Sequence, residues 1–212
     1  ITIVFVPFFQ KLFEIEEEAE DEAARGKKGN LFGRHKKIIF VFSAFFVGVS
    51  VAVAIMYLFL PRDIFTLQMD TLKGFSGAAT QRGSFEMFFL NNSQVMILTF
   101  ILSTMFGAGA ILILAWNASV IGVYVGSVAQ SLTGKLGAVA YIYGVPVGLG
   151  SLALHGIPEI LAYFIAGLAG GILSVGFIRE NMLSKEFKLI VRDSLAMLVV
   201  AEALIVVAAF IE

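Results

Sequence analysis

The uncharged stretch IIFVFSAFFVGVSVAVAIMYLFL at residues 38–60 decides the fold class. As a helix with a rise of 1.5 Å per residue it extends about 34 Å, enough to cross the roughly 30 Å hydrocarbon core of a bilayer. Residues 87–178 contain only two formally charged side chains, and residues 194–211 contain one. Because backbone polar groups must be satisfied internally in hydrocarbon, these stretches predict membrane-spanning helices.

The composition of the 212-residue chain agrees with that prediction. Hydrophobic residues make up 58% and charged residues 15%, against about 25% charged residues in a typical soluble domain. This balance argues against a disordered chain, a nucleic-acid-binding protein or a cytosolic enzyme. The absence of cysteine excludes disulfides and thiolate metal sites. We therefore predict an all-α, polytopic transmembrane helix bundle. Its expected partner is the lipid bilayer, and its expected location is the cell membrane.

The N-terminal part of the sequence differs from the rest. ITIVFVPFF at residues 1–9 is apolar but too short to span, and we interpret it as the end of an upstream membrane helix, or alternatively as an interfacial anchor. Seven acidic residues lie within 14–22, and six basic residues with one histidine lie within 25–37. The sequence therefore predicts a charged cytoplasmic segment within residues 1–37 and a transmembrane domain over 38–212.

Charge bias predicts which loops face the cytoplasm. Because basic residues in short loops remain inside, residues 25–37 and 179–192 are predicted to be cytoplasmic and 61–86 external. An even number of crossings must then separate the two inside loops, but hydropathy offers five segments: 38–60, 91–114, 117–133, 137–155 and 159–178. We therefore expect broken or re-entrant Gly/Pro-containing helices between 117 and 158 and about five crossings in the chain. The alternative is five plain crossings between the loops with a weak charge bias.

Several polar side chains are predicted to lie inside the membrane. The segment LALHGIPEI at 152–160 places His155 and Glu159 four residues apart, but Pro158 lacks an N–H group and predicts that one helix ends near His155 and another begins at Pro158. Together with three asparagines these residues form our candidate intramembrane polar site: Asn91, Asn92, Asn117, His155 and Glu159.

Three functions fit the pair of His155 and Glu159. The pair can be a structural latch that bonds to the asparagines, or part of a path for protons or a small solute. It can also contribute to a divalent metal site, such as a zinc site, because imidazole and carboxylate are zinc ligands. Two ligands do not make a zinc site, so a third must come from elsewhere or from a second subunit.

Small residues recur at a spacing of four, which lets membrane helices approach closely. We predict helix packing at Gly122 and Gly126 and at Gly167 and Gly171. The stretch 166–171 fits either a homodimer seam or packing within one chain. Aromatic residues in the apolar region, including Tyr163, are interpreted as packing or interfacial residues.

No enzyme motif is present. The sequence contains no nucleotide-binding Walker pattern, no GxSxG and no HExxH. We therefore expect a protein that is not an enzyme, and we predict no cofactor apart from the metal just considered.

Four short motifs carry a family resemblance: FFLNN at 88–92, WN at 116–117, HGIPE at 155–159 and AGLAGG at 166–171. In this order they resemble the stage II sporulation protein M family of multi-pass membrane proteins, over roughly residues 38–212. The resemblance implies that Asn91, Asn92, Asn117, His155, Gly156 and Glu159 define the family, without assigning them a chemistry.

The family's namesake is a membrane scaffold that works with partner proteins that degrade peptidoglycan during engulfment. The resemblance therefore implies a non-enzymatic scaffold or assembly component with other membrane proteins as partners. The alternative function is a transporter or channel whose polar path passes His155 and Glu159. The charged N-terminal segment lies outside the namesake's pattern.

Overall fold

The computed structural model describes residues 7–8, 10–11, 14, 31–80, 85–107, 109–133 and 137–211. Within the helices, the side chains of residues 31–38, 74–80, 138, 140–142, 145, 149 and 151–155 are not described. The described chain forms α1 (Leu31–Phe59), α2 (Thr66–Thr80), α3 (Phe85–Phe106), α4 (Ala110–Ser131), α5 (Ala140–Arg179) and α6 (Lys185–Ile211), with short 3-10 turns at Arg62–Phe65 and Gly137–Val139.

The prediction of an all-α membrane protein is confirmed. Over the described ranges the chain contains no strand, and five of its segments are long and apolar enough to cross a membrane. These segments are Ile39–Phe59, Phe85–Phe106, Ala110–Ser131, Gly156–Arg179 and Lys185–Ile211.

The predicted boundary between the second and third segments is wrong. The chain leaves helical geometry after Phe106 rather than near residue 114, because Gly107 takes a φ of 67°, a left-handed conformation that favours glycine. The predicted segments 91–114 and 117–133 are therefore replaced by α3 and α4. Among the described residues four candidate spans now separate residues 25–37 from 179–192, which is the even number that the charge bias requires.

The predicted helix break between His155 and Pro158 is also wrong. Helix α5 runs without interruption for 40 residues and contains both Pro146 and Pro158. Membrane bundles tolerate proline inside a helix when neighbouring elements compensate for the lost backbone bond, and α5 packs against α1, α3, α4 and α6. The break lies instead between α4 and α5, where Gly137 has a φ of 58°.

Helix α5 forms the centre of the bundle. Its residues 162–172 are all buried. The aromatic ring of Phe164 packs against Phe42 and Phe46 of α1 at centroid distances of 6.0 and 5.7 Å. The largest fully buried side chains include Tyr163 on the same helix. Tyr163 therefore faces other helices rather than lipid.

Small residues bring two helix pairs, α1 with α4 and α4 with α5, into close contact. A Cβ atom placed at Gly122 would lie 2.6 Å from the carbonyl oxygen of Ser50, and one at Gly126 would lie 2.9 Å from Cδ1 of Tyr57. On α5, a Cβ atom at Gly167 would lie 2.6 Å from Cβ of Ala110. Each residue from 162 to 172, Gly171 included, is buried within the single chain. Helices of the same chain therefore occupy the stretch 166–171, and a dimer must use a different face.

The described N-terminal residues lie against the end of α5. Glu14 forms an ion pair with Lys11 at 3.1 Å and another with Arg179 at 3.5 Å. Most of the predicted upstream helix end, and most of the predicted charged segment, lie outside the described residues. The contact of Glu14 places this part of the chain beside the basic loop that follows α5.

Candidate functional site

The candidate site begins with three consecutive polar residues on α3. Successive helix residues are rotated by about 100°, so Asn91, Asn92 and Ser93 point in different directions. Asn91 is exposed on the bundle surface, whereas Asn92 and Ser93 are buried. A buried polar group in an apolar environment requires a hydrogen-bond partner, so Asn92 and Ser93 are expected to bond to the helices that they face.

The helix facing Asn92 is α5. The hydroxyl group of Tyr163, a fully buried side chain, donates to Oε1 of Glu159 at 2.7 Å. The same hydroxyl oxygen lies 3.4 Å from Oδ1 of Asn92, which also accepts from Nδ2 of Asn91 at 3.3 Å. Since a tyrosine hydroxyl has a single hydrogen, it donates mainly to Glu159, the nearer of the two acceptors. Tyr163 therefore positions the Glu159 carboxylate beside α3.

The helix facing Ser93 is α6. The Ser93 hydroxyl donates to Oε1 of Glu202 at 2.9 Å. Adjacent residues of α3 are thus connected to α5 on one side and to α6 on the other. We call this set of side chains the polar cluster: Asn91, Asn92, Ser93, Glu159, Tyr163 and Glu202.

The polar cluster can act in two ways. Hydrogen bonds between membrane helices fix their rotation and register, since the alternative is a polar group facing hydrocarbon. Carboxylates in the interior of a membrane bundle can also accept protons or bind cations. Both glutamates lie within candidate spans, Glu159 in Gly156–Arg179 and Glu202 in Lys185–Ile211.

The structure brings together only some of the residues that the sequence singled out. Asn91, Asn92 and Glu159 belong to the polar cluster. Asn117 instead donates from Nδ2 to the carbonyl oxygen of Ile113 in its own helix, at 2.9 Å. His155 lies one turn before Glu159 on the continuous helix α5, but its side chain lies outside the described residues.

The part of the chain that the structure describes provides no third ligand for the predicted metal site at His155 and Glu159. No three His, Asp or Glu side chains converge there. The side chain of His155 is not included in that comparison. The pair of His155 and Glu159 thus stays a prediction as a metal site.

Sequence reasoning missed the role of Tyr163. It interpreted this tyrosine as a packing or interfacial residue, and it looked for the partner of Glu159 four residues earlier, at His155. Residues four apart lie on the same helix face in both directions, so Tyr163, four residues after Glu159, was an equally good candidate. Glu202 is the single charge within residues 194–211, but the sequence analysis did not pair it with Ser93.

Comparison with known proteins identifies one family. A family model described as stage II sporulation protein M matches residues 37–212. The chain matches no curated protein and no solved structure.

Proposed function

Because the chain belongs to the stage II sporulation protein M family, we propose that it is a non-enzymatic, multi-pass scaffold that assembles with other membrane proteins. Such a role requires a bundle with fixed helix positions and no cofactor. We further propose that it lies in the cell membrane, with residues 25–37 and 179–192 on the cytoplasmic side. The four candidate spans between these loops support that arrangement.

The observation that carries this proposal is how the polar cluster is bonded. Tyr163 bonds to Glu159, and Ser93 bonds to Glu202, so polar groups of α3, α5 and α6 satisfy one another. A permeation path instead needs polar groups that face a water-filled space. The open groove beside α1 is lined almost entirely by apolar atoms, and no member of the polar cluster lines it. This arrangement favours a latch over a path.

A path for a proton or cation is the second candidate function. It is favoured by the two carboxylates, Glu159 and Glu202, which approach adjacent residues of α3 within candidate spans. Membrane carboxylates of this kind occur in proton relays. The two functions differ in one measurable property, which is ion movement across a bilayer.

A flux assay in proteoliposomes distinguishes them. For the scaffold we expect proton, sodium and potassium fluxes equal to those of protein-free liposomes, and no change in Glu159→Gln. The matched control is Glu86→Gln, because Glu86 is exposed in the first turn of α3. A protein-dependent flux that Glu159→Gln abolishes and Glu86→Gln retains would establish the path and overturn the scaffold. Membrane proteins that copurify with the flux-free chain would support the scaffold.

A further inference from the structure

Helix α2 is too short to cross a membrane. Its 15 residues extend about 22 Å, against the roughly 30 Å hydrocarbon core of a bilayer. It lies in the connection between the candidate spans Ile39–Phe59 and Phe85–Phe106. Its contacts with the bundle and the chemistry of its exposed faces therefore decide whether it lies in water, at the membrane interface or in hydrocarbon.

Two hydrogen bonds hold this part of the chain against α4 at two different depths. In the turn before α2, Nη2 of Arg62 donates to Oε1 of Gln130, one residue from the end of α4, at 2.7 Å. Within α2, Nε2 of Gln68 donates to Oγ of Ser119 at 3.3 Å. Ser119 lies about three turns, or about 16 Å, farther from that end of α4 than Gln130 does. The side chain of Gln68 thus reaches a level well inside the candidate span Ala110–Ser131.

One face of α2 packs on the bundle. Met69 and Leu72 pack against a cluster formed by Tyr57, Phe65 and Val123. The rings of Tyr57 and Phe65 lie 5.3 Å apart between centroids, and the Tyr57 hydroxyl donates to the sulfur of Met69 at 3.8 Å. These contacts fix the rotation of α2 about its axis, and with it the directions in which its other side chains point.

The other two faces of this segment are exposed and differ in polarity. We call Thr66, Asp70 and Lys73 the charged face; Asp70 and Lys73 form an exposed ion pair at 3.1 Å. We call Ile64 and Leu67 the apolar face; they are 57% and 69% exposed. Because successive helix residues are rotated by about 100°, Leu67 points about 120° away from Lys73. The two faces therefore meet different surroundings.

The bond of Gln68 shows which exposed face is nearer to the hydrocarbon. Gln68 points about 140° away from Lys73 and reaches the deeper position on α4, so the charged face points away from the bilayer centre. This orientation agrees with the high cost of charged side chains in hydrocarbon. The apolar face follows Phe59 and Leu60 at the end of α1, which are themselves 81% and 39% exposed. It thus continues the apolar surface of a candidate span.

We propose that α2 lies flat in the membrane interface, with the charged face toward water and the apolar face against the acyl chains of one leaflet. The occupant of the apolar face is phospholipid, because this face is continuous along the chain with the exposed apolar end of α1. Helices with one charged and one apolar side bind an interface in this way, with the apolar side about 5–10 Å deep at the boundary of headgroups and acyl chains. The arrangement does not depend on whether the protein is a scaffold or a transporter.

Fluorescence quenching in lipid nanodiscs tests this orientation, because the chain has no cysteine of its own and accepts a label at one chosen position. Leu67→Cys and the matched control Lys73→Cys each carry an environment-sensitive fluorophore. The quenchers are phosphatidylcholine brominated on its acyl chains and iodide in the water. We expect the ratio of lipid quenching to iodide quenching to be about fivefold higher for Leu67→Cys. Val199→Cys, which is 70% exposed on α6, is the reference for a label in lipid.

Three results would overturn the proposal. Equal, strong iodide quenching at both positions would place α2 in water, and equal, strong lipid quenching would place the charged face in hydrocarbon as well. A label at Leu67→Cys that neither quencher reaches, while Val199→Cys is quenched by lipid, would show that protein covers the apolar face. Ile64→Cys and Thr66→Cys repeat the comparison on the same two faces, so the outcome does not rest on one substitution that disturbs folding.

Discussion

Replacing Gly170 with leucine is expected to destabilise the bundle by about 3 kcal/mol. A Cβ atom at this position would lie 2.4 Å from the carbonyl oxygen of Phe100 and 2.7 Å from Cβ of Ser103. These atoms belong to the backbone and the base of a side chain of α3, so a rotamer change cannot relieve the overlap. Helices α3 and α5 must separate, which also lengthens the bonds of the polar cluster. The midpoint of unfolding in a detergent titration measures this loss.

The matched control for this variant lies on the same helix. A Cβ atom at Gly150 would meet nothing within 4 Å, so Gly150→Leu should leave the unfolding midpoint unchanged or raise it slightly, because leucine is the better helix former. Comparable losses of stability in the two variants would show that α5 does not approach α3 as closely as described.

Replacing Tyr163 with phenylalanine is expected to lower the free energy of unfolding by about 1–2 kcal/mol. The variant keeps the buried ring but removes the hydroxyl that donates to Glu159 at 2.7 Å. The Glu159 carboxylate then loses this donor, and Asn92 loses a polar neighbour. The measurement is the same detergent titration.

Tyr57 provides the control for the loss of a hydroxyl group. It is also buried, at 3% exposure, but among the residues that the structure describes its hydroxyl donates only to the sulfur of Met69 at 3.8 Å, a weak acceptor. Tyr57→Phe should therefore change stability by less than about 0.5 kcal/mol. If Tyr163→Phe were as mild as Tyr57→Phe, the hydroxyl of Tyr163 would contribute nothing beyond packing.

Hydropathy predicted the fold class because hydrocarbon permits few chain conformations, but it offered five segments between the basic loops where the described chain has four candidate spans. Only together with the charge bias did it predict about five crossings. It placed the helix ends less well, since Gly107 lies in an apolar stretch and only its left-handed φ marks the turn. Pro158 led to the opposite error, the prediction of a helix end where none exists. A proline that would end a helix in water is tolerated inside the packed helix α5.

The partners of the polar residues were harder to predict than the helices. In a soluble protein an apolar stripe shows which helix face is buried, but lipid tails are as apolar as a protein core. The sequence alone therefore did not show that Ser93 faces Glu202 or that Tyr163 faces Asn92. The resemblance to the family singled out Asn92 and Glu159. Tyr163, whose hydroxyl contacts both of these side chains, lies outside the four motifs on which the resemblance depends.

A double-mutant cycle between Ser93 and Glu202 tests most directly whether the polar cluster holds the membrane helices together. The variants Ser93→Ala, Glu202→Leu and their combination remove one, the other and both sides of the 2.9 Å bond between α3 and α6. The account predicts a coupling free energy of about 0.5–1.5 kcal/mol, so that the double variant loses less stability than the two single losses combined. Strictly additive losses would contradict it, since they would mean that these side chains do not bond to each other in the bilayer.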